Sequence, residues 1–301
     1  MTLENSAAAR SAGLAGIGMM LTGIFFFSLN DAMGKFLIAT FSVGQILLIR
    51  SAAGLVMLSP FIRRGGWAAF RDAPRPGIQV LRAVFLTFEV AAFYWALADM
   101  SLADVMTFYL AGPIYVTAMS PFLLGEQVGW RRWAAVGVGF IGVLIALDPT
   151  GAMMTPAAFV AIAGSFAFAF SMICTRRLRG TQDIVLITWQ TAGALVFGAF
   201  VAPAAWVGLT WGDGLLLILL GVVATFAHSC INRALKLAPA SVVVPYQYTT
   251  IVWAIILGFI FFGDVPSWHT LLGAIVIVGA GIYIFFREQV RATPTSFNEP
   301  P

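Results

Sequence analysis

Whatever chemistry this chain does with polar solutes rests on a few ionisable residues set inside long apolar stretches. Arg50 lies in the run 43 to 62 and Glu89 in the run 78 to 98, while Asp31 and Lys35 sit four apart near the end of the run 15 to 38. A charge in hydrocarbon is costly and normally faces a cavity or a partner, so each is a candidate for handling a solute, an ion or a proton. Arg50 could hold a carboxylate through both arms of its guanidinium, and a structural partner such as Asp31 would satisfy it equally. Asp31 and Lys35 share one helical face and can pair with each other, at a gate or as a structural ion pair. Glu89, one turn from Phe85 and Phe93, could bind an amine or carry a proton, and an interhelical hydrogen bond is its structural alternative. His228 forms a stripe with Thr225 and Asn232 at spacings of three and four, which suits a hydrogen-bonding histidine between helices or a proton relay.

A second group of candidates is aromatic. The segment "SVVVPYQYTT" places Tyr246, Gln247 and Tyr248 beside Pro245, which frees a backbone carbonyl, and Pro113 stands near Tyr109 in a comparable way. Phe27, Phe93, Phe108, Tyr109, Phe168, Trp189, Tyr246 and Tyr248 lie at depths where an apolar cavity with a few polar groups could hold an amphipathic or aromatic solute. Lipid contact and helix packing account for such aromatics as readily. Trp67, Trp130, Trp206, Trp211 and Trp268 fall at loop or interface positions, where tryptophan anchors a membrane protein.

No reactive constellation accompanies these residues. His228 and His269 are the two histidines, and the sequence holds no HExxH, histidine box, P-loop or Gly-x-Ser-x-Gly. Asp264 in "FFGD" falls at the outer end of its helix and its repeat partner Glu126 at the cytoplasmic end, so the two cannot meet as an aspartyl dyad. No catalytic residue, cofactor or metal site is therefore expected.

The elements that position these residues follow from composition. The 301 residues are 60% hydrophobic and 10% charged, against about a quarter charged in ordinary soluble domains. Apolar stretches long enough to cross about 30 Å of hydrocarbon follow one another. They lie near 15 to 38, 43 to 62, 78 to 98, 103 to 124, 132 to 147, 156 to 175, 184 to 206, 214 to 236, 240 to 262 and 268 to 286. Their continuity favours helices over a barrel, whose strands alternate apolar and polar residues. The first stretch reads as a retained helix and not a signal peptide. Cys174 and Cys230 fall within spans and read as buried thiols without a disulfide framework.

The cations fix an expected orientation. Arg10, Arg63, Arg64, Arg71, Arg75, Arg82, Arg131, Arg132, Arg176, Arg177, Arg179, Arg233, Lys236, Arg287 and Arg291 lie in or beside alternate connections on one side. The opposite connections carry Asp99, Asp104, Asp148, Asp213 and Asp264. The positive-inside rule then places both termini in the cytoplasm and requires an even number of spans. The basic balance, pI about 9.4, belongs to loops facing anionic lipid and does not indicate nucleic-acid binding.

The chain also repeats itself. "ALADMSLADVMTFYLAGPIYVTAMSPFLLGEQVGW" from Ala96 aligns without a gap on "ALKLAPASVVVPYQYTTIVWAIILGFIFFGDVPSW" from Ala234, an offset of 138 that pairs Gly125 with Gly263 and Glu126 with Asp264. "RSAAGLV" from Arg50 pairs with "QTAGALV" from Gln190 at 140, and "FFFS" ending at Ser28 with "FAFS" ending at Ser171. Five spans per copy is odd, so the second copy runs inverted. That arrangement suits a solute site between two halves that open in turn.

The small residues Ala96 to Ala103 and Ala234 to Ser241, the Gly125–Glu126 and Gly263–Asp264 pairs before Trp130 and Trp268, and the Gly-rich fifth and tenth helices together resemble the drug/metabolite transporter superfamily. Within it the closest resemblance is to the ten-helix EamA-type exporters, a branch that includes amino-acid exporters. Asp264 replaces the more usual Glu. The resemblance spans residues 15 to 286 and implies two five-helix repeats around a central cavity, in a bacterial inner membrane. The expected organisation is a cytoplasmic segment 1 to 14, a first repeat 15 to 147, an inverted second repeat 148 to 286 and a disordered cytoplasmic tail 287 to 301. The expected function is alternating-access export of small organic metabolites, amino acids and among them aromatic or apolar ones, with protons as a candidate coupling ion. A membrane-embedded enzyme and a channel are the alternatives. The first lacks reactive groups, and the second would want a continuous polar stripe or a charged ring.

Overall fold

The computed structural model describes residues 3–65, 70, 73–125, 128–148, 154–178, 180–237 and 244–292, with the backbone alone for 3–13, 64, 65, 232, 235, 236, 244, 245 and 285–292. Every regular element among them is helical. The first three spans are Leu3–Ile38, Val43–Gly65 and Pro76–Asp99. The fourth is divided into Leu102–Tyr109 and Gly112–Leu124, and the fifth and sixth are Trp130–Leu147 and Pro156–Arg177. The seventh, Asp183–Val201, runs on into a 3₁₀ turn, Ala202–Ala205, and the eighth is Trp211–Leu237. The ninth joins a 3₁₀ segment, Val244–Thr249, to Thr250–Phe262, and the tenth is Trp268–Ala292. Eight are long and apolar enough to cross a membrane, and Tyr246–Phe262 and Trp268–Ile284 are shorter apolar helices. The protein is thus a multi-pass membrane protein of ten helices. Glu126 and the tail 293 to 301 lie outside the described residues.

An even number of spans returns the chain to the side on which it began, called here the terminal face, with the far face opposite. Helices entering from the far face are capped by hydroxyls. Ser101 accepts from the Asp104 amide (3.1 Å), Thr155 from Ala158 (3.2 Å), Thr210 from Asp213 (3.2 Å) and Ser267 from Thr270 (3.1 Å). Each satisfies an amide the helix leaves unpaired, and Asp104 and Asp213 add negative charge at a positive dipole end. The third, fifth and seventh spans enter from the terminal face behind Arg75, Gly129 and Gln182, with no side-chain cap.

Packing makes the internal duplication visible. The first span lies on the eighth, the third on the sixth, the second on the seventh, the fifth on the tenth and the fourth on the ninth. Advancing every span by five exchanges the first two of these pairs and leaves the other three unchanged. The second–eighth and third–seventh contacts are exchanged in the same way. A two-fold axis therefore relates the halves, and because each holds five spans it lies in the membrane plane.

Local details repeat at the offset seen in the sequence. Gly125 and Gly263, 138 apart, close the fourth and ninth spans at φ 68° and 67°. This left-handed cap suits glycine, because a Cβ would crowd the following carbonyl. The break in the fourth span before Gly112 and the change from 3₁₀ to α-helix before Thr250 are again 138 apart. Trp130, Trp206, Trp211 and Trp268 are exposed, as membrane-surface anchors should be; Trp67 lies outside the described residues.

Candidate functional site

The second, third, seventh and eighth spans enclose a cavity of about 50 Å³. Twelve of its fourteen lining residues obey the repeat. Leu47, Arg50, Ser51 and Gly54 on the second span face Ile187, Gln190, Thr191 and Ala194 on the seventh, all at an offset of 140. Leu86 and Val90 on the third span face Ala224 and His228 on the eighth, at 138. Each set follows the i, i+3, i+4, i+7 spacing of one helical face. The cavity therefore straddles the pseudo-two-fold axis, where a solute can be offered to either face in turn. Gly221 and Thr225 complete the wall, and a Cβ added at Gly221 would strike the Arg50 backbone carbonyl, so any side chain there would separate the second and eighth spans.

Arg50 is the one cation of this lining. Counting seven residues from Val43 puts it about 10 Å inside the second span from the far face. Its Nη1 donates to the Tyr94 hydroxyl, and the guanidinium carbon lies 5.4 Å from the Tyr94 ring centre. Tyr94 is fully buried and fixes one edge of the guanidinium. Asp31 and Glu89 are both within electrostatic reach of Arg50. Among the described residues, however, no carboxylate oxygen stands at ion-pairing distance from it.

The expected Asp31–Lys35 pair does not form. Lys35 extends past its own helix to Asp264 at the end of the ninth span, with its ammonium 4.8 Å from the centre of the Phe262 ring. Asp31, one turn deeper, is buried against the neighbouring helices and away from that far-face end. The Lys35–Asp264 pair instead ties two spans together at the far face. Asn30, more than a turn deeper than Lys35, adds a second tie within the bundle by donating to the Leu220 carbonyl (2.7 Å). Gln45 adds a third, donating to the Val207 carbonyl (2.8 Å) and accepting from its amide (3.1 Å).

Glu89 is half-buried beside an aromatic cluster. The Tyr109 hydroxyl donates to the Glu89 backbone carbonyl (3.2 Å), and Tyr109 packs edge-on to Phe93 at 5.2 Å between ring centres and lies 6.5 Å from Phe168. Phe108 is fully enclosed in the core. His228 lines the cavity with its Nδ1 2.9 Å from the Ala224 carbonyl. A carbonyl can only accept, so Nδ1 carries the hydrogen and Nε2 is the ring's other polar edge. The same ring meets Phe27 edge-on at 4.6 Å.

Other candidates do not join this group. Trp189 projects from the side of the seventh span opposite Ile187, Gln190, Thr191 and Ala194, because it is two residues out of their helical phase. Tyr246 packs with Met20, Ile24 and Ala234, Gln247 is exposed, and Tyr248 reaches Gly281 on the tenth span. Those three belong to the 3₁₀ start of the ninth span, toward the terminal face. The Asn232 side chain lies outside the described residues. Tyr94, Ser51, Gln190 and Thr191 are additions that the search for charges and aromatics passed over. The offset of 140 that pairs Arg50 with Gln190 was the signal able to find the last three.

A larger apolar crevice of about 300 Å³ lies between the first, eighth and ninth spans, lined by Leu29, Met33, Phe36, Leu216, Phe261 and their neighbours. Phe36 and Phe261 are strongly exposed, so this crevice faces the lipid. Among the described residues no group of three or more His, Cys, Asp or Glu side chains could hold a metal ion. Cys174 and Cys230 are buried free thiols.

The family model of the EamA-like transporter family matches this chain twice, over residues 14–147 and 155–287. The chain belongs to the EamA-like transporter family. This EamA-like protein is 26% identical to an S-adenosylmethionine uptake transporter of Rickettsia bellii over 279 residues, 91% of this chain and 94% of the relative. It is 29% identical to a riboflavin transporter of Rhizobium johnstonii over 234 residues, 77% of each chain. A pseudopaline exporter, CntI, of Pseudomonas aeruginosa is 27% identical over 278 residues, 89% of this chain and 95% of the relative. A solved crystal structure shares the fold, with a TM-score of 0.60 at 19% identity over 92% of this chain and 98% of that one. The relatives are named as transporters of small molecules, which points to transport and away from catalysis.

Proposed function

We propose that this chain is a secondary transporter that moves small organic metabolites, amino acids among them, by alternating access across a bacterial inner membrane. The observation that carries the reading is the cavity on the pseudo-two-fold axis, whose two walls come from equivalent positions of the two repeats. Polar ties at each face support two gates. Lys35–Asp264 and Gln45–Val207 join elements at the far face, while Arg82 donates to Thr175 (2.7 Å) and to the Leu186 carbonyl (3.1 Å) toward the terminal face. A volume of about 50 Å³ is far below the roughly 300 Å³ at which ligand pockets begin. The described arrangement is thus a contracted one, and admitting a metabolite requires the halves to part.

The distribution of cations supports a cytoplasmic terminal face and a far face outside. The relatives include both uptake and export proteins, and export is the direction favoured by the sequence resemblance. Glu89, which stands outside the contracted cavity beside Tyr109, Phe93 and Phe168, is proposed to meet the solute together with His228 of the cavity wall once the halves part. Glu89 is also the residue proposed to carry a coupling proton.

Counterflow in proteoliposomes with candidate amino acids, run with and without a pH gradient, tests this reading. Solute exchange that depends on the protein is expected, and Glu89→Gln is expected to alter its rate and its response to the gradient. Absence of exchange for every solute would refute transport. A Glu89→Gln protein identical to the parent would remove Glu89 from the site.

A further inference from the structure

Arg50 lines the cavity from the first repeat, and its counterpart 140 residues on is the uncharged Gln190. Tyr94 occupies Nη1 and covers one side of the guanidinium plane, leaving the remaining N–H groups of a five-donor fork without an ion-pair partner among the described residues. A guanidinium at membrane depth is retained where something anionic meets it. Asp31 and Glu89 lie on neighbouring helices within electrostatic reach, but neither lines the contracted cavity. The space in front of Arg50 is instead bordered by hydrogen-bonding neutrals: Ser51, Gln190, Thr191, Thr225 and the imidazole of His228.

We propose that Arg50 selects the cargo, binding one carboxylate of a small organic solute while the Gln190 side-chain amide donates to that carboxylate from the other repeat. This rests on the transport reading and names its substrate class. A planar carboxylate matches the guanidinium fork, and its single charge matches the single cation of the lining. A phosphate monoester brings nearly two charges and would call for a second cation where Gln190 stands. The placement makes Arg50 a specificity residue and not a gate pair, since the gate-side ion pair is Lys35–Asp264.

The test is counterflow in proteoliposomes offered an equimolar mixture of the common L-amino acids together with their carboxamides, with accumulated solutes identified by mass spectrometry. The wild-type protein is expected to accumulate one or more carboxylates at least tenfold over the matching amides. Arg50→Gln is expected to bring that ratio close to one, and Arg50→Lys to leave it intermediate with a raised KM. A merely structural arginine would lower all fluxes together and leave the ratio intact. Amides accumulating as well as carboxylates, or an Arg50→Gln protein that keeps the wild-type ratio, would overturn the assignment while leaving transport standing. No accumulation of any member by the wild-type protein would overturn both. If Arg50→Gln does not yield a monodisperse protein, Arg50→Lys decides, and an unchanged ratio there overturns the proposal.

Discussion

The two halves of the central cavity are built on one backbone plan and carry different charges. Where the first repeat has Arg50, the second has Gln190; Glu89 corresponds to Ala227, and Asp31, by the offset of 143 that pairs Ser28 with Ser171, to Cys174. Lys35, half of the far-face ion pair, corresponds to Leu178, which is buried. Features that set the path of the chain are duplicated. They include the left-handed glycine caps, the broken fourth and ninth spans and the spacing of the cavity walls. Arg50, Glu89, Asp31 and Lys35 have uncharged counterparts, whereas the acid Asp264 is matched by Glu126. Shape therefore follows the two-fold axis, which suits the two gates of the proposed mechanism, and the proposed recognition of a solute with distinct ends needs no such symmetry.

The comparison breaks most readily at Arg50 and Gln190. Arg50→Gln is expected to lower solute flux at least tenfold, about 1.4 kcal/mol or more of interaction, while Gln190→Ala lowers it two- to fivefold, the loss of a neutral hydrogen bond. Equal losses would mean that the charge asymmetry is incidental. A smaller effect is expected at the far face. Asp264→Asn removes one partner of a partly buried ion pair, worth about 0.5 to 1 kcal/mol. Amide exchange at Leu37 and Phe262 is then expected to quicken two- to fivefold while exchange near Cys174 stays unchanged. Change at both faces would show that the pair does not act on one gate alone. The smallest effect tests the symmetric part. Gly125→Ala and Gly263→Ala each force a Cβ into left-handed backbone, at a cost of about 1 kcal/mol. The two melting temperatures are expected to fall equally, by roughly 2 to 4 °C. Unequal shifts would deny the equivalence of the two caps.

Much of this was legible in the sequence because a bilayer imposes simple rules. Span number followed from length and hydropathy, and the repeat from the gapless alignment of Ala96 on Ala234. What the glycine match at 125 and 263 meant became clear only from φ, since identity does not reveal handedness. The site was harder. Arg50 and His228, conspicuous as ionisable groups at membrane depth, line the cavity, whereas Glu89, equally conspicuous, stands outside it. Ser51, Gln190 and Thr191 were passed over because neutral polar residues are common in spans and do not draw notice one by one. Trp189 was misplaced for a related reason, in that depth along a helix is easily read whereas rotation about it depends on which neighbour the helix packs against. Lys35 was matched to Asp31 by proximity in the chain, and its actual partner, Asp264, lies 229 residues away.

The most direct test of the account joins the two ends of the far-face pair. Lys35 and Asp264 are replaced by cysteine, in a background with Cys174 and Cys230 replaced by alanine, and flux is followed in proteoliposomes before cross-linking with a short bis-methanethiosulfonate, after it and after reduction. If two gates serve one cavity in turn, fixing the far face shut stops flux and reduction restores it. Undiminished flux through the fully cross-linked protein would contradict that mechanism.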